Sequence, residues 1–332
     1  MELGYSLSSE EQDARALVDN ARRAEAAGFT FALISDHYHP WTEQQGQSPF
    51  AWSVMGAIAY DTHYLRLGTG VTCPTVRYHP AIVAQMSATM ATLMPGRFFL
   101  GVGTGENLNE HILGQPWRSA AVRLDMLTEA VHIIRQLWQG GKQSFDGKYY
   151  TLDRAQLYSL PDEPPELYVA AAGERSAKVA GALGDGLITT SPKRETLEAF
   201  QNAGGRGKPS IGQMTVCWAE DEETACKVAR QWWPTAALRG ELSQELPLPA
   251  HFEQATRHVS EDDMAKAMPC GPDPKKHLAM LRKYAQAGID KVYVHQVGPD
   301  QAGFFHFYQK EIMPRLADIA APDNRQNMEA LS

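Results

Sequence analysis

The sequence predicts a parallel (β/α)8 barrel, a TIM barrel, and three observations carry that prediction. Short apolar runs alternate with helical periods along almost the whole chain. The runs are apolar on both faces, as strands covered by helices on each side must be. The strand-helix units number eight, and eight units close naturally into a barrel. A doubly wound open sheet is the alternative with the same alternation.

The elements follow in order. "LGY" opens the first strand, and "EQDARALVDNARRAEAAG" reads as a helix stopped at Gly28. "FTFALIS" is the second strand, followed by a helix from about Pro49 to Thr62. "LRLGTGV" is the third, and the helix after Pro80 ends near Pro95 and Gly96. "RFFLGVG" is the fourth, with a short helix after Glu106 and a long one from about Ser119 to Trp138. In the second half "ELYVAAAG" precedes "ERSAKVAGALG", and "GLITTS" precedes "KRETLEAFQNAG". "SIGQMTVCWA" precedes a helix over Glu222 to Trp233, and "KVYVHQ" precedes a final helix from about Gln301 to Asp318. Two stretches interrupt the rhythm. Residues 145–160 read as a hairpin insertion turning at Asp146-Gly147. Residues 235–270 are rich in proline without a clear strand, and are expected to form a helical lid near the barrel mouth. One domain over residues 1–332 is expected.

Composition narrows the function. The chain has 332 residues, 43% hydrophobic and 21% charged, which is ordinary for a globular enzyme. A formal net charge of -8 without a basic tract argues against nucleic-acid binding, which needs clustered Lys and Arg. The start "MELGYSLSSEEQ" does not read as a signal peptide, and no apolar run approaches the roughly 18 residues of a membrane helix. Cys73, Cys217, Cys226 and Cys270 are scattered, which fits a reducing cytoplasm rather than a structural zinc site.

Active sites of such barrels sit at the strand C-termini. The second strand ends in Ser35-Asp36-His37, inside "SDHYHPW". An imidazole there can take up and return a proton near neutral pH. It can also simply tie down its own loop. An H-x-H metal pair of His37 and His39 is a third reading, but it needs ligands on other strand ends, and only His295 offers itself. The fourth strand ends in "GVGTG" before Glu106. The glycines let a backbone approach a flat ring, and Glu106 is either an acid or a helix cap. Gly173 opens a helix whose free N–H groups suit an anion, or marks only a tight turn. Thr190 and Lys193 offer a second anion site, or a solvated lysine.

"SDHYHPW", "GQSPFAWSVMGAIA", "RLGTGVTCPTVRYHPAIVAQ", "GRFFLGVGTGENLNEHI" and "GDGLITTSPK" together resemble the luciferase-like barrel superfamily. Within it they resemble the F420-dependent glucose-6-phosphate dehydrogenases, from Leu3 to about Leu316. The resemblance implies a homodimer that binds coenzyme F420, a hydride-carrying deazaflavin. It implies His37 as the base on the anomeric hydroxyl, Asp36 as the carboxylate beside it in contact with the cofactor, and Trp41 as the aromatic that steadies the reacting centre. It implies Glu106 as the acid toward the reduced ring. Thr104, Gly105 and Asn109 match cofactor contacts, Gly70 and Val71 a non-prolyl cis peptide behind the ring, and Ala170, Ala171, Ala172 and Gly173 the loop that takes the cofactor phosphate.

For the substrate, Glu10 matches a position near the sugar, and Thr190 and Lys193 match two positions that hold its phosphate. Two further basic positions fall near Ser243 and Ala267, where Arg239, Arg257 or Lys266 would have to substitute. The expected activity is therefore hydride transfer from C1 of a sugar 6-phosphate to F420. The alternatives are F420-dependent oxidation of a non-phosphorylated secondary alcohol, under an apolar lid of Trp232, Trp233 and Phe252, and a luciferase-like flavin monooxygenase.

Overall fold

A computed structural model describes residues 1–319; the expected extent of the domain to residue 332 runs outside the described residues. Eight parallel strands form a closed barrel. They are β1 (Glu2–Leu7), β2 (Phe31–Ile34), β3 (Arg66–Thr69), β4 (Phe98–Val102), β7 (Glu166–Ala170), β8 (Gly186–Thr189), β9 (Ser210–Val216) and β10 (Lys291–Gln296). β10 pairs with β1 and closes the cylinder in the order β1-β10-β9-β8-β7-β4-β3-β2. The (β/α)8 reading is confirmed and the open sheet is excluded.

Side-chain alternation divides the core in two. Residues such as Ala32, Ile34, Leu100, Val102, Leu167, Val169, Val292 and Val294 face the surrounding helices. Their neighbours Phe31, Leu33, Phe99, Tyr168, Ile188, Ile211 and Tyr293 fill the barrel interior. Three of the interior rings lie beside a glycine on the adjacent strand. Phe31 is in register with Gly4, Phe99 with Gly68, and Tyr168 with Gly186. A methyl group at any of these glycines would overlap the ring. These rings fill the interior below the strand C-termini, the end where sites of such barrels sit.

Local signals explain most helix boundaries. Asp13 accepts hydrogen bonds from the N–H groups of Arg15 and Ala16 and starts the helix Ala14–Ala27, which Gly28 ends in the left-handed region at φ 96°. Pro80 opens Pro80–Leu93. The last helix is shorter than expected: Gln301–Phe307 is α-helical, a wider turn spans Tyr308–Ile312, and a tighter one Met313–Asp318, where Pro314 supplies no N–H. The helix Pro274–Ala287 was not anticipated, although Asp273, Pro274 and Gly288 mark its ends.

The hairpin is present as β5 (Gln143–Asp146) and β6 (Thr151–Ala155), but its turn is not Asp146-Gly147. Asp146 pairs with Thr151, leaving a four-residue loop from Gly147 to Tyr150. The Glu129 carboxylate accepts hydrogen bonds from the N–H groups of Lys148, Tyr149 and Tyr150, so a helix side chain shapes the turn. The lid is helical as expected, with short helices at Pro234–Ala237, Leu242–Glu245, Pro249–Thr256 and Glu261–Ala267. It is tied to the barrel mouth by Glu253 Oε1, which accepts from Glu43 N, and by Asn107 Nδ2, which donates to Glu245 O. Among the described residues no helix is long and apolar enough to cross a membrane.

Candidate active site

The loop after β2 places His37 at the barrel mouth. Its Nδ1 lies 3.1 Å from His39 O, so the N–H belongs on Nδ1 and the basic lone pair on Nε2. Nε2 faces two carboxylates, Glu10 Oε1 at 3.4 Å and Glu106 Oε2 at 3.5 Å. Glu10 comes from the loop after β1. Its Oε2 accepts hydrogen bonds from the hydroxyls of Ser8 at 3.1 Å and Ser35 at 2.5 Å. Its Oε1 accepts the indole N–H of Trp41 at 3.2 Å. Burial pushes the Glu10 carboxyl up, but His37 and the Ser35 hydroxyl outweigh it and hold the group below its ordinary value. The Trp41 ring lies 5.1 Å from the His37 ring and meets Phe252 of the lid edge-on at 5.2 Å.

Glu106 precedes the helix Asn107–Glu110 and makes no capping hydrogen bond, so its carboxylate is free for other work. Asn109 Nδ2 donates to Glu106 Oε2 at 3.0 Å. The Asn109 Oδ1 accepts the N–H groups of Tyr38 at 2.8 Å and His39 at 3.3 Å. One buried amide thus clamps the acid-bearing segment to the base-bearing loop. The Glu106 side chain keeps 32% of its surface exposed. Its pKa is raised, first by burial and then by the charge of Glu10, against the pull of His37 and Asn109.

Asp36 sits within a network of protein donors. Its side chain is fully enclosed. Oδ2 accepts from Trp52 Nε1 at 3.1 Å and Thr72 Oγ1 at 2.7 Å, and Oδ1 from Arg77 Nη2 at 3.0 Å and Tyr78 OH at 3.2 Å. Both oxygens are engaged by protein donors. It anchors the loop that carries His37. Sequence reasoning missed this network, although Trp52, Thr72, Arg77 and Tyr78 all lie within the runs that carry the resemblance.

Beside the His37 cluster lies a floor of small residues. The Gly70–Val71 peptide is cis, as the resemblance implied, and places Val71 against Gly103 and Ala170. A methyl group at Gly103 would come within 2.7 Å of Val71 Cγ2. Gly105 holds φ 76°, which brings its backbone against Cys73 and Glu110 and shapes the Thr104–Glu106 turn. Farther along the rim Ala171 is buried, while Ala172 and Gly173 are exposed. Gly173 caps the helix Glu174–Leu183, and nothing lies within 4 Å of a methyl group built there. The first-turn N–H groups of that helix therefore open onto free space, a fit for a phosphate.

The remaining candidates are spread out. His39 Nδ1 lies 2.9 Å from Leu108 O, and His295 Nε2 lies 2.7 Å from Glu11 Oε2, so His37, His39 and His295 do not converge on one point. Among the described residues no group of three His, Cys, Asp or Glu is placed to hold a metal ion. Thr190, Lys193 and Arg239 are exposed around the mouth, with Ser243 half-buried and Ala267 exposed on the lid.

The profile of the luciferase-like monooxygenase family matches residues 1–291. The chain belongs to the luciferase-like family. Among relatives in that family, it is 37% identical to the F420-dependent glucose-6-phosphate dehydrogenase of Mycobacterium avium (strain 104), over 95% of this chain and 98% of that one. It is 38% identical to the enzyme of the same name from Mycolicibacterium fortuitum, over 96% and 99%. Among solved structures of luciferase-like barrels, an F420-dependent secondary alcohol dehydrogenase in complex with an F420-acetone adduct superposes with a TM-score of 0.87, at 31% identity, over 94% of this chain and 98% of that one.

Proposed function

We propose that this luciferase-like barrel is an F420-dependent oxidoreductase that takes a hydride from C1 of a sugar 6-phosphate. The observation that carries the reading is His37 Nε2, held between Glu10 and Glu106 beside the small-residue floor. The names of the relatives support it.

The residues present fit the cofactor. Val71, Gly103, Thr104, Gly105 and Ala170 would hold its ring, Asn109 would fix Glu106 toward it, and Ala171, Ala172, Gly173 and the following helix N-terminus would take its phosphate. When bound, F420 supplies a hydride acceptor with little oxygen chemistry. His37 removes the hydroxyl proton at Nε2 as the carbon gives up its hydride, which requires the two events to be held in one geometry. Glu10, kept ionised, stabilises the imidazolium that forms. Glu106, with its raised pKa, is the proton donor on the cofactor side. Trp41 excludes water above the reacting carbon. Asp36 is a positioning residue that holds the loop of His37. Glu10 is also within reach of a substrate hydroxyl, and Thr190, Lys193 and Arg239 would face the substrate phosphate.

A second reading has its own support. Ser243 and Ala267 leave two phosphate positions without a cation. Trp41, backed by the buried Phe252, and Trp233 supply apolar surface for a non-phosphorylated secondary alcohol, the kind of substrate named for the structural neighbour. A homodimer is supported by the exposed large apolar side chains Tyr60, Tyr64, Ile82 and Leu93, which favour self-association. Sedimentation of the protein as a monomer would remove that part. The cytoplasm is supported by four free, buried cysteines. The test of function is to mix purified protein with oxidised F420 and a panel of sugar phosphates and plain alcohols, and to follow loss of the oxidised cofactor's absorbance. Turnover on glucose 6-phosphate supports the first reading. Turnover on alcohols alone supports the second, and none on either class overturns both.

A further inference from the structure

The catalytic reading leaves one buried ionisable pair unused. Glu11 and His295 are joined at 2.7 Å between Oε2 and Nε2, with side chains only 2% and 1% exposed. Glu11 Oε1 also accepts the N–H of Gly298 at 2.9 Å, which pins the carboxylate in place. The pair lies in the same mouth as the site above. His295 is two residues beyond Tyr293 on β10, and Tyr293 is part of the barrel interior, so His295 shares its inward face one layer nearer the open end. It lies close to Glu10, which touches His37. Two consecutive carboxylates, Glu10 and Glu11, thus each hold one imidazole at the barrel mouth, and each imidazole lies against a tryptophan, Trp41 for His37 and Trp233 for His295.

The two imidazoles differ in which nitrogen is left over. Glu11 takes the N–H of His295 Nε2, which fixes the tautomer and leaves the lone pair on Nδ1. That Nδ1 is buried and has no hydrogen-bond partner among the described residues. An acceptor enclosed in this way is unfavourable until a donor reaches it. The Trp233 ring packs against the His295 ring edge-to-face at 4.4 Å, from the segment that leads into the lid.

We infer that His295 Nδ1 is a specificity site that accepts a hydrogen bond from a second hydroxyl of the substrate, while His37 acts on the first. The substrate is then polyhydroxylated, a sugar rather than a single alcohol, and Glu11 positions His295 for it. This rests on the oxidoreductase reading proposed above.

The test compares His295→Ala, His295→Asn and His295→Gln. Asn places an amide atom where Nδ1 stood; Gln places one where Nε2 stood and keeps the Glu11 contact. KM for glucose 6-phosphate, its calorimetric binding, and F420 binding by fluorescence are measured for all three and for the wild type. We expect His295→Ala to raise KM about tenfold or more and to weaken glucose 6-phosphate binding in parallel, with F420 affinity retained. His295→Asn should recover most of that loss and His295→Gln should not. Recovery by Gln and not Asn would show a purely structural role through Glu11 and overturn the inference, as would an unchanged KM in His295→Ala. A wild type active only on single-hydroxyl alcohols also overturns it. Failure of the wild type to reduce F420 with any sugar phosphate or alcohol overturns the oxidoreductase reading as well, so the two failures are distinguishable.

Discussion

Glu106 and His37 approach within 3.5 Å across the barrel mouth, although they are carried by loops after different strands. The approach depends on Asn109, whose amide holds the Glu106 carboxylate with one end and the backbone of the His37 loop with the other.

Glu106→Gln should reshape the pH dependence of F420 reduction. Burial raises the Glu106 pKa, so its acid form persists to higher pH than that of an ordinary carboxyl. As the proton donor it must start protonated, so kcat falls as pH rises through its pKa. The glutamine variant should lose that limb and about 10²–10⁴-fold in kcat. A wild-type limb that persists in Glu106→Gln would assign it to another group. The readout is kcat between about pH 4.5 and 9 for both proteins.

Asp36→Ala should destabilise the protein by about 3–5 kcal/mol, because it strands the Arg77 guanidinium and the Trp52 N–H in the interior. Adding Arg77→Met should cost less than the sum of the two single changes, since the unpaired charge leaves with it. Urea denaturation of the three variants measures both. A loss below about 1 kcal/mol in Asp36→Ala would show that the network does not anchor the loop.

Stability should decline from weakly acid to alkaline pH through Glu110. Burial pushes its pKa up to about 7 despite the nearby Arg77. The folded state therefore holds a proton that the unfolded state releases near the ordinary carboxyl value. The stabilisation is complete below that value and is lost as pH rises through about 7. The full difference amounts to about 3 kcal/mol. Glu110→Gln should flatten this slope in denaturation curves at pH 5 and 8; an unchanged slope would assign it elsewhere.

Gly173→Ala separates cofactor binding from folding. The residue is extended at φ -154°, which any residue adopts, and a methyl group there meets no protein atom. Thermal stability should be unchanged or slightly raised. F420 affinity should weaken about tenfold, the size of one lost charge-assisted hydrogen bond. Unchanged affinity in fluorescence titration would move the phosphate elsewhere.

Short-range features were legible in the sequence. Asp13 and Gly28 bound their helix, Pro80 opens the next, and the glycines around Thr104 mark the turn that carries Glu106, because each acts within a few residues. Long-range pairings were not. Glu11 and His295 lie 284 residues apart and meet only because β10 closes against β1. Glu10 was expected near the sugar, and its contact with His37 follows from the register of β1 on β2. Asp36 carried the right residue type for a cofactor contact, yet its enclosure depends on side chains from the next unit. The hairpin turn was misplaced because Glu129, on the preceding helix, rather than Asp146-Gly147, organises the loop.

The most direct measurement is a single-turnover reduction of F420 bound to His37→Ala, with glucose 6-phosphate as donor and cofactor affinity measured in parallel. The expected result is reduction at least about 100-fold slower than in the wild type, with F420 binding within a few-fold of it. Reduction at the wild-type rate per bound cofactor would contradict the assignment of His37 as the base.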